Sequence, residues 1–254
     1  GKPRAECVVS TKVGRLLQPS PDTADLPDDD LFAVSADARR VWDFTAGGVR
    51  RSLDGSLQRL GIDRVDVLLL HDPERAGLDP ALATGVPALV ELREQGLVDA
   101  VGVGSMSTAA LVAAARTGVL DLLLVAGRYT LLEQPAAAEV LPECRNRGIG
   151  VVAAGVLNSG LLATPRPGSD ARYEYRPAAP DVLARARRLA EVCDGFGVEL
   201  PAAALQFPLR EPSVRSVVLG AASAAELHET VRRLHAPIPE ALWGALATHG
   251  LVPA

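Results

Sequence analysis

Six short apolar runs, centred near Val9, Leu68, Val101, Leu123, Val152 and Val217, alternate along this chain with segments of helical period. Runs of this length lack helical spacing and suit strands buried on both faces, as in parallel sheets. A helix between successive strands implies parallel strands joined by crossovers. Strands are expected over residues 7–12, 66–71, 98–104, 122–126, 150–154 and 216–219. Val49, Leu53, Leu57 and Leu60 mark a helix stopped by Gly61. Further helices are expected over 86–95, from a Ser107 cap to 117, and over 136–147, 181–195, 202–209, 223–234 and 240–249. Two stretches rich in Pro with Asp or Gly, 18–30 and 158–179, are expected to be long loops. The fold class is α/β, of the (β/α)8 TIM-barrel type; a closed barrel takes eight such units, so six leave it incomplete. No linker, composition break or repeat interrupts the pattern, and residues 1–254 are expected to form a single domain.

Two strand ends carry residues that a buried strand does not ordinarily hold. In Asp66-Val67-Leu68-Leu69-Leu70-His71-Asp72-Pro73, the proline cannot donate to a ladder and turns Asp72 out of helix. The strand therefore ends near His71, on the end where barrel enzymes place their chemistry. Taken alone, His71 reads first as a histidine donating to a neighbouring carbonyl, ahead of a catalytic role. In Cys7-Val8-Val9-Ser10-Thr11-Lys12 the run stops on a lysine, with Gly14 beyond. A lysine there must find a partner or shift its pKa.

The pair Ser10-Thr11-Lys12-Val13-Gly14 and Leu68-Leu69-Leu70-His71-Asp72-Pro73 resembles the third and fourth strands of the aldo-keto reductase superfamily. The segments 126–134, Asn158-Ser159-Gly160-Leu161-Leu162 and Ala204-Leu205-Gln206-Phe207-Pro208-Leu209 narrow the resemblance to its sugar-oxidising branch, the D-threo-aldose 1-dehydrogenases. That resemblance implies hydride transfer between a nicotinamide and C1 of an aldose, giving a lactone, or a related carbonyl reaction. A tyrosine hydroxyl exchanges the proton there, and a neighbouring ammonium lowers its pKa. Lys12 would supply the ammonium, against the plainer reading of a lysine paired for stability. His71 would orient the substrate oxygen as its neutral tautomer.

The family places its tyrosine, and the aspartate paired with the lysine, at and just after its second strand, expected upstream of Gly1. Tyr129, Tyr173 and Tyr175 do not match that motif, so this stretch is expected to carry half a catalytic tetrad and to be inactive by itself. The alternative function is a non-catalytic truncated barrel that retains at most nucleotide or partner binding.

For the cofactor, Asn158, Ser159 and Gly160 resemble the loop over the pyrophosphate, or form an ordinary tight turn. Gly220, Ala221 and Ser223 resemble the segment where phosphate meets a helix N-terminus. Glu226, Glu229 and Thr230 fall at the adenosine. An acidic Glu226 would repel a 2′-phosphate, which leans the choice between NAD and NADP toward NAD; equally, Ser223-Ala224-Ala225-Glu226 fits a capping box. The family's carboxamide-holding asparagine is missing from Gly102-Val103-Gly104-Ser105-Met106, where Ser105 is the nearest candidate. Arg128 and Tyr129 end a strand and would line the sugar pocket, or form a salt bridge and a packed ring.

A net charge of −5 without a basic stripe argues against a nucleic-acid partner. No run approaches a membrane span, and no signal peptide opens the chain. Cys7, Cys144 and Cys193 lack metal or disulfide spacing and are expected to be buried thiols, which points to a cytoplasmic protein without a metal. The partner is expected to be a small sugar or carbonyl compound. Open barrel edges near Val9 and Val217 would invite association.

Overall fold

Gly14 sets the course of the amino-terminal half. Its φ of +92° is open to glycine, and the Phe44 ring occupies the place where a Cβ would stand. In the computed structural model, which describes residues 3–28 and 34–253, strand β1 (Ser10–Val13) stops at this glycine. Beyond it lies β2 (Arg15–Pro19), which pairs antiparallel with β3 (Ala38–Trp42), Arg15 opposite Trp42. The loop expected over 18–30 is therefore in part the arm of a two-stranded ribbon; its residues 29 and 30 lie outside the described residues. Proline and aspartate in the connection masked the arms, whose exposed faces show little apolar alternation.

β1 also starts later than expected. Val8 is 79% exposed, and Cys7 is exposed rather than buried. A short 3-10 turn, Arg4–Glu6, precedes them, and Asp66 Oδ2 takes the Val9 N–H at 2.6 Å. Cys7 and Val8 therefore stay outside the ladder, and Val9 joins it only through its carbonyl, which accepts the Val67 N–H at 3.1 Å.

Helix α1 (Ala46–Leu60) is capped by the Thr45 side chain on Gly48 N–H and stopped by left-handed Gly61. It leads to β4 (Val67–His71), parallel to β1 with Lys12 opposite Leu69. Helix α2 (Leu78–Glu94) begins well before the expected 86. Pro80 lies in its first turn, where no N–H is needed, and Pro87 is accommodated within it, so these prolines are not breakers. β5 (Ala100–Ser105) runs parallel to β4 with His71 opposite Gly104, and α3 (Thr108–Arg116) follows a Ser107 cap.

Packing divides the chain into two compact units, Gly1–Leu124 and Val125–Ala254, and the division falls inside β6 (Leu122–Ala126). The first unit closes over Val13, Val49, Leu53, Leu68, Leu70, Leu89, Val101, Val103 and Leu111, all essentially buried. Each large side chain so buried contributes roughly 1.5–3 kcal/mol.

In the second unit, a 3-10 turn (Pro135–Ala137) precedes α4 (Val140–Arg147), so the helix expected over 136–147 is interrupted. β7 (Gly150–Ala154) follows. Within the expected second loop lies a small antiparallel pair, β8 (Arg172–Tyr173) and β9 (Arg176–Pro177). Glu174 and Tyr175 turn it with φ of 47° and 64°; two left-handed residues in succession suit a two-residue hairpin. Helices α5 (Pro180–Gly195) and α6 (Leu200–Gln206) lead to β10 (Val214–Val218), parallel to β7. α7 (Ala224–Leu234) and α8 (Glu240–Thr248) complete the described chain. The core of this unit gathers Leu131, Leu161, Leu162, Leu189, Leu200, Phe207 and Trp243. Cys144 and Cys193 are buried there, which pushes their thiols up to about 11 and about 12. Among the described residues no helix is long and apolar enough to cross a membrane.

Candidate active site

In the first unit, β1 and β4 run in the same direction, so Lys12 and His71 emerge at the same, carboxyl end. The lysine arm extends over Gly104: a Cβ there would stand 3.3 Å from Lys12 Cε. Gly104 is itself the residue opposite His71. The two residues singled out in the sequence thus share Gly104 as a neighbour, Lys12 through its side chain and His71 through the ladder.

The pocket around them is only partly wet. Burial lowers the Lys12 pKa from its ordinary value; the Asp72 carboxylate opposes that shift and the Arg15 guanidinium adds to it. The Asp72 pKa is raised, first by burial and then by Glu74, while Lys12, Arg15 and Arg75 pull it the other way. Asp72 adopts a left-handed backbone (φ 47°, ψ 58°), and its N–H donates to Gly104 O at 2.9 Å. Its Oδ2 lies 3.6 Å from His71 Nε2, beyond a good hydrogen bond.

Trp42, at the end of β3, meets the His71 ring edge-on at 6.4 Å and stacks with Phe44 at 6.2 Å. The Arg15 and Arg75 guanidiniums lie 5.7 and 5.5 Å from the Trp42 ring centroid. Sequence reading missed Trp42, because its strand was hidden behind a loop. A tryptophan beside a valine at the end of Ala38-Arg39-Arg40-Val41-Trp42 was the available signal.

Ser105, the candidate for the carboxamide position, ends β5 and is 1% exposed. Its hydroxyl donates to Glu74 Oε1 at 2.5 Å and accepts the Ser107 N–H at 2.8 Å. Glu74 was not among the sequence candidates.

In the second unit, Asn158 and Ser159 hold successive left-handed conformations (φ 48° and 56°) in a 3-10 turn with Gly160. Asn158 is buried and its Oδ1 has no hydrogen-bond partner among the described residues. Arg128 forms ion pairs with Glu133, at 3.3 Å, and with Glu174. Tyr173 donates to Glu133 Oε1 at 2.6 Å, which with burial pushes its phenol up to about 12. Tyr129 packs on Phe207 with ring centroids 5.4 Å apart, and burial raises its pKa. Neither Tyr129 nor Tyr173 has the lowered pKa that proton exchange requires.

At α7, Ser223 Oγ accepts the Glu226 N–H at 3.2 Å and Glu226 Oε2 accepts the Ala222 N–H at 2.7 Å. This is a capping interaction, so Glu226 does close the helix start. Glu229 pairs with Arg232 at 2.6 Å and Arg233 at 3.0 Å, Thr230 is half-buried, and Gly220 and Ala221 are exposed ahead of the cap.

Residues 1–250 match the aldo/keto reductase family. The chain belongs to that family. It is 52% identical over 254 residues to D-threo-aldose 1-dehydrogenase of a Pseudomonas species, covering 99% of this chain and 77% of that protein. It is 38% identical to pyridoxal 4-dehydrogenase of Microbacterium luteolum, covering 96% of this chain and 76% of that one. Among solved structures, the holo form of aldo-keto reductase AKR11C1 from Bacillus halodurans superposes with a TM-score of 0.73 at 21% identity, over 99% of this chain and 74% of its own. That likeness shows the barrel-type fold. The family's chemistry is NAD(P)-dependent oxidoreduction, which favours an enzyme over a non-catalytic remnant.

The residues present fit a nicotinamide dinucleotide. The open space beside Gly160 and Gly220, where a Cβ would meet nothing within 4 Å, leaves room for a phosphate to approach the backbone. The first turn of α7 turns the positive end of its dipole to that segment.

Proposed function

We propose that this aldo/keto reductase oxidises an aldose at C1 to its lactone. The observation that carries the reading is that Lys12 and His71 leave the same end of the sheet beside Gly104, the lysine arm over it and His71 opposite it in the ladder. The relative that is 52% identical is an aldose 1-dehydrogenase, which favours a sugar over other carbonyl compounds. A bound nicotinamide would supply the hydride acceptor for C1, and the hydroxyl proton would pass to the family's tyrosinate. Lys12 favours that phenolate by its charge. His71 donates to the sugar oxygen and fixes its orientation.

Asn158, Ser159 and Gly160 hold the pyrophosphate in this reading. Gly220, Ala221 and Ser223 receive a phosphate at the start of α7, and Glu229 and Thr230 lie along the adenosine. Glu226 keeps its carboxylate at the helix start while it caps it, and so disfavours a 2′-phosphate and leans the enzyme to NAD. Arg128, held by Glu133 and Glu174, and Tyr129, packed on Phe207, border the sugar in this reading. The enzyme works in the cytoplasm, where its two buried thiols stay reduced, and its sheet edges offer a surface for association.

The test is to supply the natural protein with L-fucose, D-arabinose or D-galactose and either oxidised cofactor. Lactone and reduced cofactor are expected in equal amounts. Reduction of small aldehydes with no oxidation of any aldose would replace the sugar reading. Tighter binding of NADPH than of NADH would end the lean to NAD.

A further inference from the structure

We propose that Glu74, held in place by Ser105, receives the carboxamide N–H2 of the oxidised nicotinamide and makes this site favour the oxidised over the reduced cofactor. The inference rests on the oxidoreductase reading above and adds a residue and a redox preference to it.

Glu74 lies in the 3-10 turn Pro73–Ala76, three residues past His71 at the carboxyl end of β4. Its Oε1 is fixed by the Ser105 hydroxyl at 2.5 Å. Its Oε2 is inside the protein and has no hydrogen-bond partner among the described residues. An unmet buried carboxylate oxygen is costly, and a native structure keeps one where something else supplies the donor. Ser105 cannot do so, since its one hydroxyl proton is already given to Oε1 and its oxygen accepts from Ser107 N–H.

The missing partner must therefore offer a hydrogen-bond donor, and it gains further if it carries positive charge. An oxidised nicotinamide has both, an amide N–H2 and a cationic ring. Reduction removes the charge and leaves the amide. The strand end has no asparagine side chain for the carboxamide: Ser105 and Met106 follow Gly104. A carboxylate brought over from the neighbouring strand fills that role with an acceptor only. Unlike an asparagine, it discriminates between the two redox states.

The experiment measures dissociation constants on the natural protein and its E74Q variant for NAD+, NADH and the 3-acetylpyridine analogue of NAD+, whose methyl ketone has no N–H to give. In the wild type, NAD+ is expected to bind about tenfold or more tighter than the analogue. In E74Q, which puts a donor where the acceptor was, that preference is expected to collapse. NADH, which keeps the amide, should weaken about tenfold, and NAD+, which also loses the attraction of its ring charge, about threefold or more beyond that.

Unchanged ratios in E74Q, with both nucleotides still bound, would overturn the proposal and leave Glu74 as a clamp for Ser105. Should E74Q not fold, the wild-type comparison decides by itself: equal affinity for NAD+ and the analogue overturns it. A wild type that binds no nicotinamide dinucleotide would overturn the oxidoreductase reading and this proposal together.

Discussion

The Lys12 arm takes the space that a side chain at Gly104 would fill, with Cε 3.3 Å from that missing Cβ. Gly104 is thus a passage for the lysine, and its partner across the ladder is His71. Replacing Gly104 by valine is expected to push the ammonium aside and lower kcat by about 100-fold, the order of loss that follows a displacement of about 1 Å. The added methyl groups should cost about 1–3 kcal/mol of stability. Steady-state kinetics beside a thermal melt separate the effects, and a G104V enzyme with full activity would show that Lys12 needs no such passage.

Gly102 is small for another reason. A Cβ there would collide with the Leu122 carbonyl oxygen, which as backbone cannot give way cheaply. G102A is expected to lose about 3 kcal/mol or more, in the range of severe core defects. Chemical denaturation reads this directly, and a midpoint equal to wild type would mean that the strands yield more easily than their packing suggests.

Asp72 links stability to pH. Its folded pKa is raised, so the native state holds its proton more tightly than the unfolded chain does. That contribution is complete below the unfolded value of about 3.8 and is lost as pH rises through the folded value. D72N, whose side chain is neutral and also tolerates the left-handed backbone, should melt at an increasing advantage over wild type from pH 4 toward 7. Melting curves of both proteins across this range check it. An advantage that stays constant with pH would mean that Asp72 titrates alike in both states.

Tyr173 secures the β8–β9 pair through its bond to Glu133. Y173F removes a bond to a charged acceptor, of order 1.5–3 kcal/mol, without altering the ring. Proteolytic nicking within 172–177 is expected to speed up about tenfold or more. An unchanged cleavage rate would show that the Arg128–Glu174 pair holds the hairpin unaided.

The parallel strands, their order along the chain and both strand-end residues were legible because buried strands leave continuous apolar runs that end abruptly at polar residues. Leu68-Leu69-Leu70-His71 is the clearest case, and Lys12 stood out against a background of arginines. Trp42 and Glu74 were not legible. Trp42 arrives on a ribbon whose arms are half-exposed, and Glu74 matters only because its turn folds back onto Ser105. Helix starts such as Leu78 were missed where prolines sit in the first turn, since a residue that breaks a helix interior is harmless there.

Single-turnover hydride transfer from an aldose to oxidised cofactor, compared between the natural protein and K12M, tests the central claim most directly. Methionine keeps the length and packing of the lysine arm and removes its charge. The expected result is a rate lowered by about 100-fold to 10,000-fold, with nucleotide affinity unchanged. A K12M enzyme within a few-fold of wild-type rate, or one that fails only because it no longer binds the nucleotide, would contradict the role given to this lysine.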